Sequence, residues 1–247
     1  MSRLWRDRLA VALAPDRVAL VRTGGIFASR VMAKAILPVA LEPDGGWRPA
    51  LTVLSQALRT RREFQEARLA VVLSNAFVRY QLVPWSDAVE NDAECGLYVR
   101  ESFADVHGEP ALGWTYRIAS TGPEAPWLAA AVDSPLAQQL EEVADATGST
   151  LVSLQPQLMP AFNAARKTLG PGDAWFAQVD GDRLLLALVH KGQWAAIGNH
   201  RLGTASWQDA LPPLAEREWQ LYGSGAAPRT VFVAERDAAV RTVALGE

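Results

Sequence analysis

The sequence has little cysteine, little histidine and almost no net charge, and each shortage excludes a class of protein. Its 247 residues include one cysteine, Cys95, so no intramolecular disulfide and no zinc-binding thiolate cluster can form. The three histidines, His107, His190 and His200, show no i, i+4 spacing, and we predict no metal site. The sequence contains 24 Lys and Arg residues and 27 Asp and Glu residues. The resulting net charge of −3 does not favour nucleic-acid binding.

Long apolar runs and common catalytic motifs are also absent. No uninterrupted apolar run reaches the ~18 residues of a membrane-spanning helix, and the run at 184–189 has the length of a strand. The sequence contains no P-loop, no G-x-S-x-G elbow, no H-E-x-x-H pair and no C-x-x-C pair. We therefore expect a cytoplasmic protein with no membrane span of its own, and the missing motifs weigh modestly against an enzyme.

Two groupings of reactive side chains have a simpler structural interpretation. Asp180 and Asp182 flank Gly181, and an Asp-Gly pair between alternating runs is typical of a hairpin turn rather than of paired catalytic carboxylates. Cys95 and His107 are 12 residues apart across an uncertain helix end, so we predict an inert thiol rather than a nucleophile with its base.

An order of elements that occurs twice is the most informative feature of the chain. In the first half, three strand-like runs precede an amphipathic helix and a fourth strand, at 8–14, 17–23, 31–39, about 47–64 and 68–74. In the second half, the same order returns at 175–179, 184–190, 194–200, 207–221 and 229–234. Two β-β-β-α-β segments predict an α/β fold of two similar lobes.

The segment between the two copies contains further elements in a different order. We predict strands at 77–84, 114–120 and 127–132, a helix from near 86 to 106, and then a helix from Ser134, a strand at 150–154 and a helix at 158–168. Residues 75–133 are expected to form a subdomain inserted in the first lobe. The domains are then 1–155 for the first lobe and 156–247 for a truncated second lobe.

Aromatic and arginine side chains are mixed in the inserted segment. We call the following residues the aromatic–arginine set: Arg79, Trp85, Tyr98, Arg100, Phe103, Trp114 and Tyr116. Such mixtures are enriched at binding hot spots, so we predict that the set binds a partner. The alternative for each ring is a place in the subdomain's own core.

The duplicated lobes and three stretches of sequence resemble a known superfamily. A βββαβ repeat with an inserted subdomain resembles the actin-like ATPases, whose lobes are RNase H-like. Three stretches are similar to the type IV pilus protein PilM and to the cytoplasmic domain of the type II secretion protein GspL: Leu73–Trp85 (LSNAFVRYQLVPW), Trp127–Asp133 (WLAAAVD) and Ser153–Asn163 (SLQPQLMPAFN). The likeness covers nearly the whole chain, by order and pattern more than by invariant motifs.

The resemblance also implies where a nucleotide would bind. In nucleotide-binding members an Asp-x-Gly in the first hairpin approaches the phosphates and organises magnesium, and a glycine pair follows a late strand. The matching positions here hold other residues. They are Ala12 and Ala14 in the first hairpin, Gln178 and Asp180 in the second hairpin, and Ala234 and Glu235 after the late strand. Pro15 removes an amide donor from the first turn, and Asp180 has the wrong charge for a phosphate. The resemblance thus implies a fold without its nucleotide, with no cofactor and no catalytic residue.

The function implied by the resemblance is that of a scaffold. We expect a non-catalytic protein that binds the cytoplasmic tail of a bitopic inner-membrane protein and is peripheral to that membrane, with the assembly ATPase as a further candidate partner. The alternatives are a divergent ATP-binding ATPase of the same fold and a sugar-kinase-like phosphotransferase. A carboxylate at position 12 would favour either alternative, and Ala12 has none.

Overall fold

The computed structural model describes residues 7–25, 30–42, 45–120, 122–170, 172–223, 225–236 and 240–245. The strands are β1 (Arg8–Leu13), β2 (Arg17–Gly24), β3 (Arg30–Pro38), β4 (Arg68–Leu73), β5 (Arg79–Val83), β6 (Trp114–Ala119), β7 (Trp127–Asp133), β8 (Thr150–Pro156), β9 (Ala174–Asp180), β10 (Arg183–His190), β11 (Gln193–Arg201), β12 (Thr230–Glu235) and β13 (Arg241–Ala244). The helices are α1 (Arg48–Thr60), α2 (Asp92–His107), α3 (Ser134–Asp145), α4 (Leu158–Leu169) and α5 (Trp207–Tyr222). Two compact units result, Met1–Val78 with Val132–Gln157 and Arg79–Ala131 with Leu158–Glu247.

The first unit is built on a five-stranded mixed sheet with the order β3-β2-β1-β4-β8. Strand β1 is antiparallel to β2 and parallel to β4, which is parallel to β8. Side chains alternate along β1, so Leu9, Val11 and Leu13 are buried on one face. Helices α1 and α3 belong to this core, and the leucine stripe predicted for α1 is buried at Leu54 and Leu58.

The second unit contains a sheet with the equivalent order β11-β10-β9-β12-β13. Both faces of β10 are covered, which explains its continuous apolar run. Leu184, Leu186 and Leu188 are in the cluster that includes α5, whereas Leu185 and Ala187 are in the cluster that includes α4. The turn predicted at Asp180-Gly181 is confirmed because β9 and β10 pair on either side of it.

A three-stranded sheet with the order β5-β7-β6 completes the second unit. Val83, Ala129 and Ala131 lie in the cluster that this sheet forms with α2. On β5, Tyr80 and Leu82 alternate with Val83 and therefore lie on the other face of the strand. They pack into the cluster that includes α4. The small sheet therefore lies between α2 and the α4 side of the larger sheet.

The predicted fold class is confirmed, with two βββαβ arrangements and a further subdomain. Residues Arg79–Ala131 interrupt the first sheet in sequence, between β4 and α3, and are part of the second compact unit. The domain bounds of 1–155 and 156–247, with an insert at about 75–133, stay a prediction.

The predicted start of α2 near Ser86 is wrong. The helix begins at Asp92 because the Asn91 side-chain oxygen accepts hydrogen bonds from the N–H groups of Ala93 and Glu94, at 3.1 and 3.0 Å. Ser86 instead accepts a bond from the Ala88 N–H in a preceding turn.

Two strands also differ from the prediction. Strand β5 begins at Arg79 rather than at 77, because residues 75–77 form a 3₁₀ turn in which the Ser74 hydroxyl accepts the Ala76 N–H. The short edge strand β13 was not predicted, since its four residues are too few for an alternating pattern.

Candidate functional site

Phe103 is the centre of an aromatic cluster between α2 and the three-stranded sheet. Its side chain is fully buried, and its ring meets those of Trp114 and Tyr116 edge-on, at centroid distances of 6.2 and 5.1 Å. Trp114 and Tyr116 are two residues apart on β6, so they share one face of the strand. The Tyr116 hydroxyl donates a hydrogen bond to the Ala111 carbonyl at 2.5 Å, which fixes the ring at the start of β6.

Two arginines lie over this cluster. The guanidinium carbon of Arg79, on β5, is 5.6 Å from the Trp114 ring centroid. That of Arg100, on α2, is 5.4 Å from the Tyr116 centroid. Both arginines are exposed, so their charges face solvent while the rings restrict their positions.

The structure therefore brings together five members of the aromatic–arginine set and separates two. Tyr98 packs edge-on against Trp127, at 6.0 Å, elsewhere in the same core. Trp85 follows β5 and is 41% exposed, without a ring contact to any residue in the described ranges.

Sequence reasoning missed His107 as a member of the cluster. Its ring lies 5.9 Å from Phe103 and 5.1 Å from Trp114. The available signal was its spacing, since His107 is four residues after Phe103 on one helix face. Burial lowers the pKa of His107 and the charge of Arg79 lowers it further, so the ring is neutral at neutral pH.

Helix α2 is held in place at both ends and at its middle. The Glu94 carboxylate accepts hydrogen bonds from the N–H of Glu90, at 2.9 Å, and from the Asn91 amide, at 2.8 Å, which completes a reciprocal cap. Gly108 ends the helix with a φ of +70°. The Gln81 amide donates to the backbone carbonyl of Ser102 and ties β5 to α2.

In the first unit, the positions that the resemblance assigns to a nucleotide are Ala12 and Ala14. Ala12 presents only a methyl group, on the exposed face of β1. The Ala14 N–H donates to the Arg17 carbonyl across the hairpin at 3.0 Å. Neither residue supplies a carboxylate for magnesium.

In the second unit, the residues at the corresponding positions form ion pairs or are buried. Arg236 forms an ion pair with Asp180, whose side chain is 0% exposed. Glu235 pairs with Arg241 on the neighbouring strand β13. Ala234 is buried and lies opposite Gln178, which is also buried, across the parallel pair β12 and β9. These residues do not fit a magnesium nucleotide, because the Asp180 carboxylate is covered and paired with Arg236, and the other carboxylate of the hairpin, Asp182, is paired with Arg201.

Metal ligands and the Cys95–His107 combination were further possible sites. The described ranges contain no group of three or more His, Cys, Asp or Glu residues placed to hold a metal ion. Cys95 and His107 lie in the first and last turns of α2, about 18 Å apart by helical rise. Burial and the charge of Asp92 raise the pKa of the Cys95 thiol, which disfavours the reactive thiolate. Across the same ranges, every helix is too short or too polar to cross a membrane.

Comparison with known proteins identifies the fold through solved structures. No protein-family model matches the sequence, and no curated protein matches it. The cytoplasmic domain of EpsL, an inner-membrane component of the type II secretion system of Vibrio cholerae, is 14% identical over 94% of this chain and 84% of that one, with a TM-score of 0.57. A Bacteroides thetaiotaomicron protein of unknown function with an actin-like ATPase fold is 12% identical over 90% and 80%, with a TM-score of 0.58.

A third similar structure is a complex. The PilM–PilN type IV pilus biogenesis complex contains a chain 18% identical over 86% of this protein and 66% of that chain, with a TM-score of 0.55. All three similarities extend over both units described above. This chain therefore has the actin-like ATPase fold that the sequence resemblance implied.

Proposed function

We propose that the protein is a non-catalytic scaffold of a type IV pilus or type II secretion inner-membrane platform, which binds the cytoplasmic tail of a membrane protein. The observation that carries the proposal is the similarity of its fold to two components of such machines, over 94% and 86% of the chain. Because a fold hosts many functions, the site residues must support the rest of the argument.

The residues at the assigned nucleotide positions support a role without catalysis. A phosphate needs free amide donors, and its magnesium needs accessible carboxylates. Here Ala12 offers a methyl group, and Asp180 is buried against Arg236. A protein of this kind keeps the fold as a support for interaction surfaces.

The exposed side of the aromatic cluster is the proposed binding site for the tail. A flexible peptide loses conformational entropy on binding, so its affinity must come from a few anchors and charge-assisted hydrogen bonds. Arg79 and Arg100 supply guanidinium donors that Trp114 and Tyr116 already position, which lowers the cost of ordering them. Phe103 supports these residues from below, and Trp85 is an exposed anchor.

Binding to such a partner would keep the protein at the inner face of the membrane. The assembly ATPase of the same platform is a second proposed partner. Neither interaction requires nucleic acid, and the charge of −3 does not favour it.

A pull-down with the cytoplasmic tail of the membrane protein encoded beside this gene tests the proposal. The variants Arg79→Ala and Arg100→Glu are used after their thermal stability is shown to equal that of the wild type. Each is expected to weaken binding of the tail at least about tenfold. Arg117→Ala is the matched control, because Arg117 is exposed on the opposite face of β6. Undiminished binding by both variants would reject the site, and no binding by the wild-type protein would reject the tail as partner.

A further inference from the structure

One face of the first unit's sheet is open to solvent over strands β1 to β3. Ala10 and Ala12 on the central strand β1 are exposed, although Val11 between them is buried. On the edge strand β3, Val31 and Ile36 are 63% and 70% exposed. Parallel strands such as β1 and β4 are ordinarily covered on both faces, so this apolar surface lacks its usual cover.

The strand register places small residues at the centre of this surface. Ala12, Ala19 and Ile36 form one row across β1, β2 and β3, and Ala10, Val21 and Lys34 form the next. We call these six residues the open sheet face. Three strands span about 10 Å, which is the diameter of an α-helix. The alanines therefore form a shallow floor of the width that one helix needs.

The surroundings of the open sheet face are basic. Strands β1 to β4 contain no acidic residue. Lys34 flanks the floor on β3, and Arg8 and Arg68 are cross-strand neighbours at one end of it. All three are exposed, and none pairs with an acidic side chain in the described part of the chain. The surface favours an occupant with one apolar anchor and acidic flanks.

Helix α2 presents that combination on its outer side. Leu97 is 62% exposed, and Glu101 and Asp105 follow at intervals of four residues, both exposed. The three side chains therefore form one stripe. This stripe faces away from the buried Phe103.

We propose that the open sheet face of one copy binds α2 of a second copy. Leu97 lies on Ala10 and Ala12, while Glu101 and Asp105 reach Lys34 and Arg8. Along the helix, the acids lie about 6 and 12 Å from Leu97. On the sheet, Arg8 lies about 7 Å from Ala10 along β1, and Lys34 lies about 10 Å from Ala10 across the strands. A helix that crosses the strands obliquely therefore places Glu101 between the two cations, within reach of both long side chains.

The two surfaces differ, so the contact is heterologous. A pair of copies leaves one open sheet face and one α2 unused, and association continues beyond the dimer. The charged contacts make the association weaker at high salt.

Sedimentation velocity of the intact chain over a wide concentration range tests the proposal. Wild-type protein is expected to form a concentration-dependent series of oligomers. Ala10→Glu places a negative charge on the floor and Leu97→Glu removes the anchor, and each change is expected to weaken association at least about tenfold. Both positions are exposed, so thermal stability should not change.

A mixture of the two variants gives the sharpest result. The Ala10→Glu copy keeps a normal α2 and the Leu97→Glu copy keeps a normal sheet face, so the mixture should form one-to-one dimers and nothing larger. Ala164→Glu and Leu221→Glu are matched controls, since both residues are exposed on other helices, Leu221 to 65%.

Three results would overturn the proposal. They are a wild-type protein that stays monomeric at every concentration, oligomers that both variants leave intact, and variants whose mixture forms no dimer. A monomer whose binding to anionic phospholipid vesicles is abolished by Ala10→Glu would assign the surface to a membrane instead.

Discussion

The guanidinium group of Arg236 lies against the carboxylate of Asp180, with the Arg236 Nε 2.9 Å from the Asp180 Oδ1. The Asp180 side chain is fully buried and that of Arg236 is 18% exposed. Asp180 is the last residue of β9 and Arg236 directly follows the neighbouring parallel strand β12, so the pair closes one end of the second sheet. The Asp180 carboxylate, at the turn between β9 and β10, is thereby part of the core.

Arg236→Ala is expected to lower the free energy of unfolding by about 3–5 kcal/mol, because it removes the positive charge that compensates the buried Asp180 carboxylate. Urea unfolding monitored by tryptophan fluorescence measures the change. Arg201→Ala is the control, since Arg201 and Asp182 are 57% and 42% exposed and the pair should contribute less than about 1 kcal/mol. Similar losses in both variants would contradict the buried pair.

Phe103→Ala and Trp85→Ala are expected to separate structure from binding within the aromatic–arginine set. Phe103 is fully buried, so its truncation should cost about 3–5 kcal/mol of unfolding free energy. Trp85 is 41% exposed, and its truncation should change stability by less than about 0.5 kcal/mol while weakening tail binding. A stable Phe103→Ala variant would refute the core role assigned to this ring.

His200 is expected to make stability fall at acid pH. Burial and the charge of Arg217 lower the pKa of His200, and Glu218, 3.7 Å away, only partly opposes them. The folded state therefore binds fewer protons than the unfolded state, whose histidine titrates near 6.5. This stabilisation is complete above that pH and is lost as the pH falls through the folded-state pKa.

Urea unfolding of the wild type and His200→Gln, from neutral pH to about 5, measures this effect. The pKa of His107 is also lowered, but His107 is present in both proteins, so its contribution cancels. The wild type should lose more stability than the variant on acidification. Parallel pH profiles would show that His200 does not titrate as described.

Much of the fold could be predicted because local pattern and tertiary structure agree. The strands at 184–190 and 194–200 match β10 and β11 closely, since hydrophobic pattern and turn residues both indicate their ends. The start of α2 was misplaced because Ser86 and Asn91 are both cap residues, and only the structure shows which one caps the helix.

The candidate site was less predictable. Composition identified the aromatic–arginine set, but not that Arg79 on β5 reaches Trp114 on β6. That contact spans the intervening strand β7, where Ala131 is opposite Arg79 and is small enough to leave room. The Asp180 and Arg236 pair is separated by 56 residues, and its partners depend on the pairing of β9 with β12, for which no local sequence signal exists.

Titration calorimetry with Mg-ATP tests most directly the central claim that the fold is retained without its nucleotide. The account predicts no heat of binding, because Ala12 supplies no carboxylate for magnesium and Asp180 is neutralised by Arg236. Saturable binding at micromolar concentration that requires magnesium would contradict the account and would identify the protein as a divergent ATPase of the same fold.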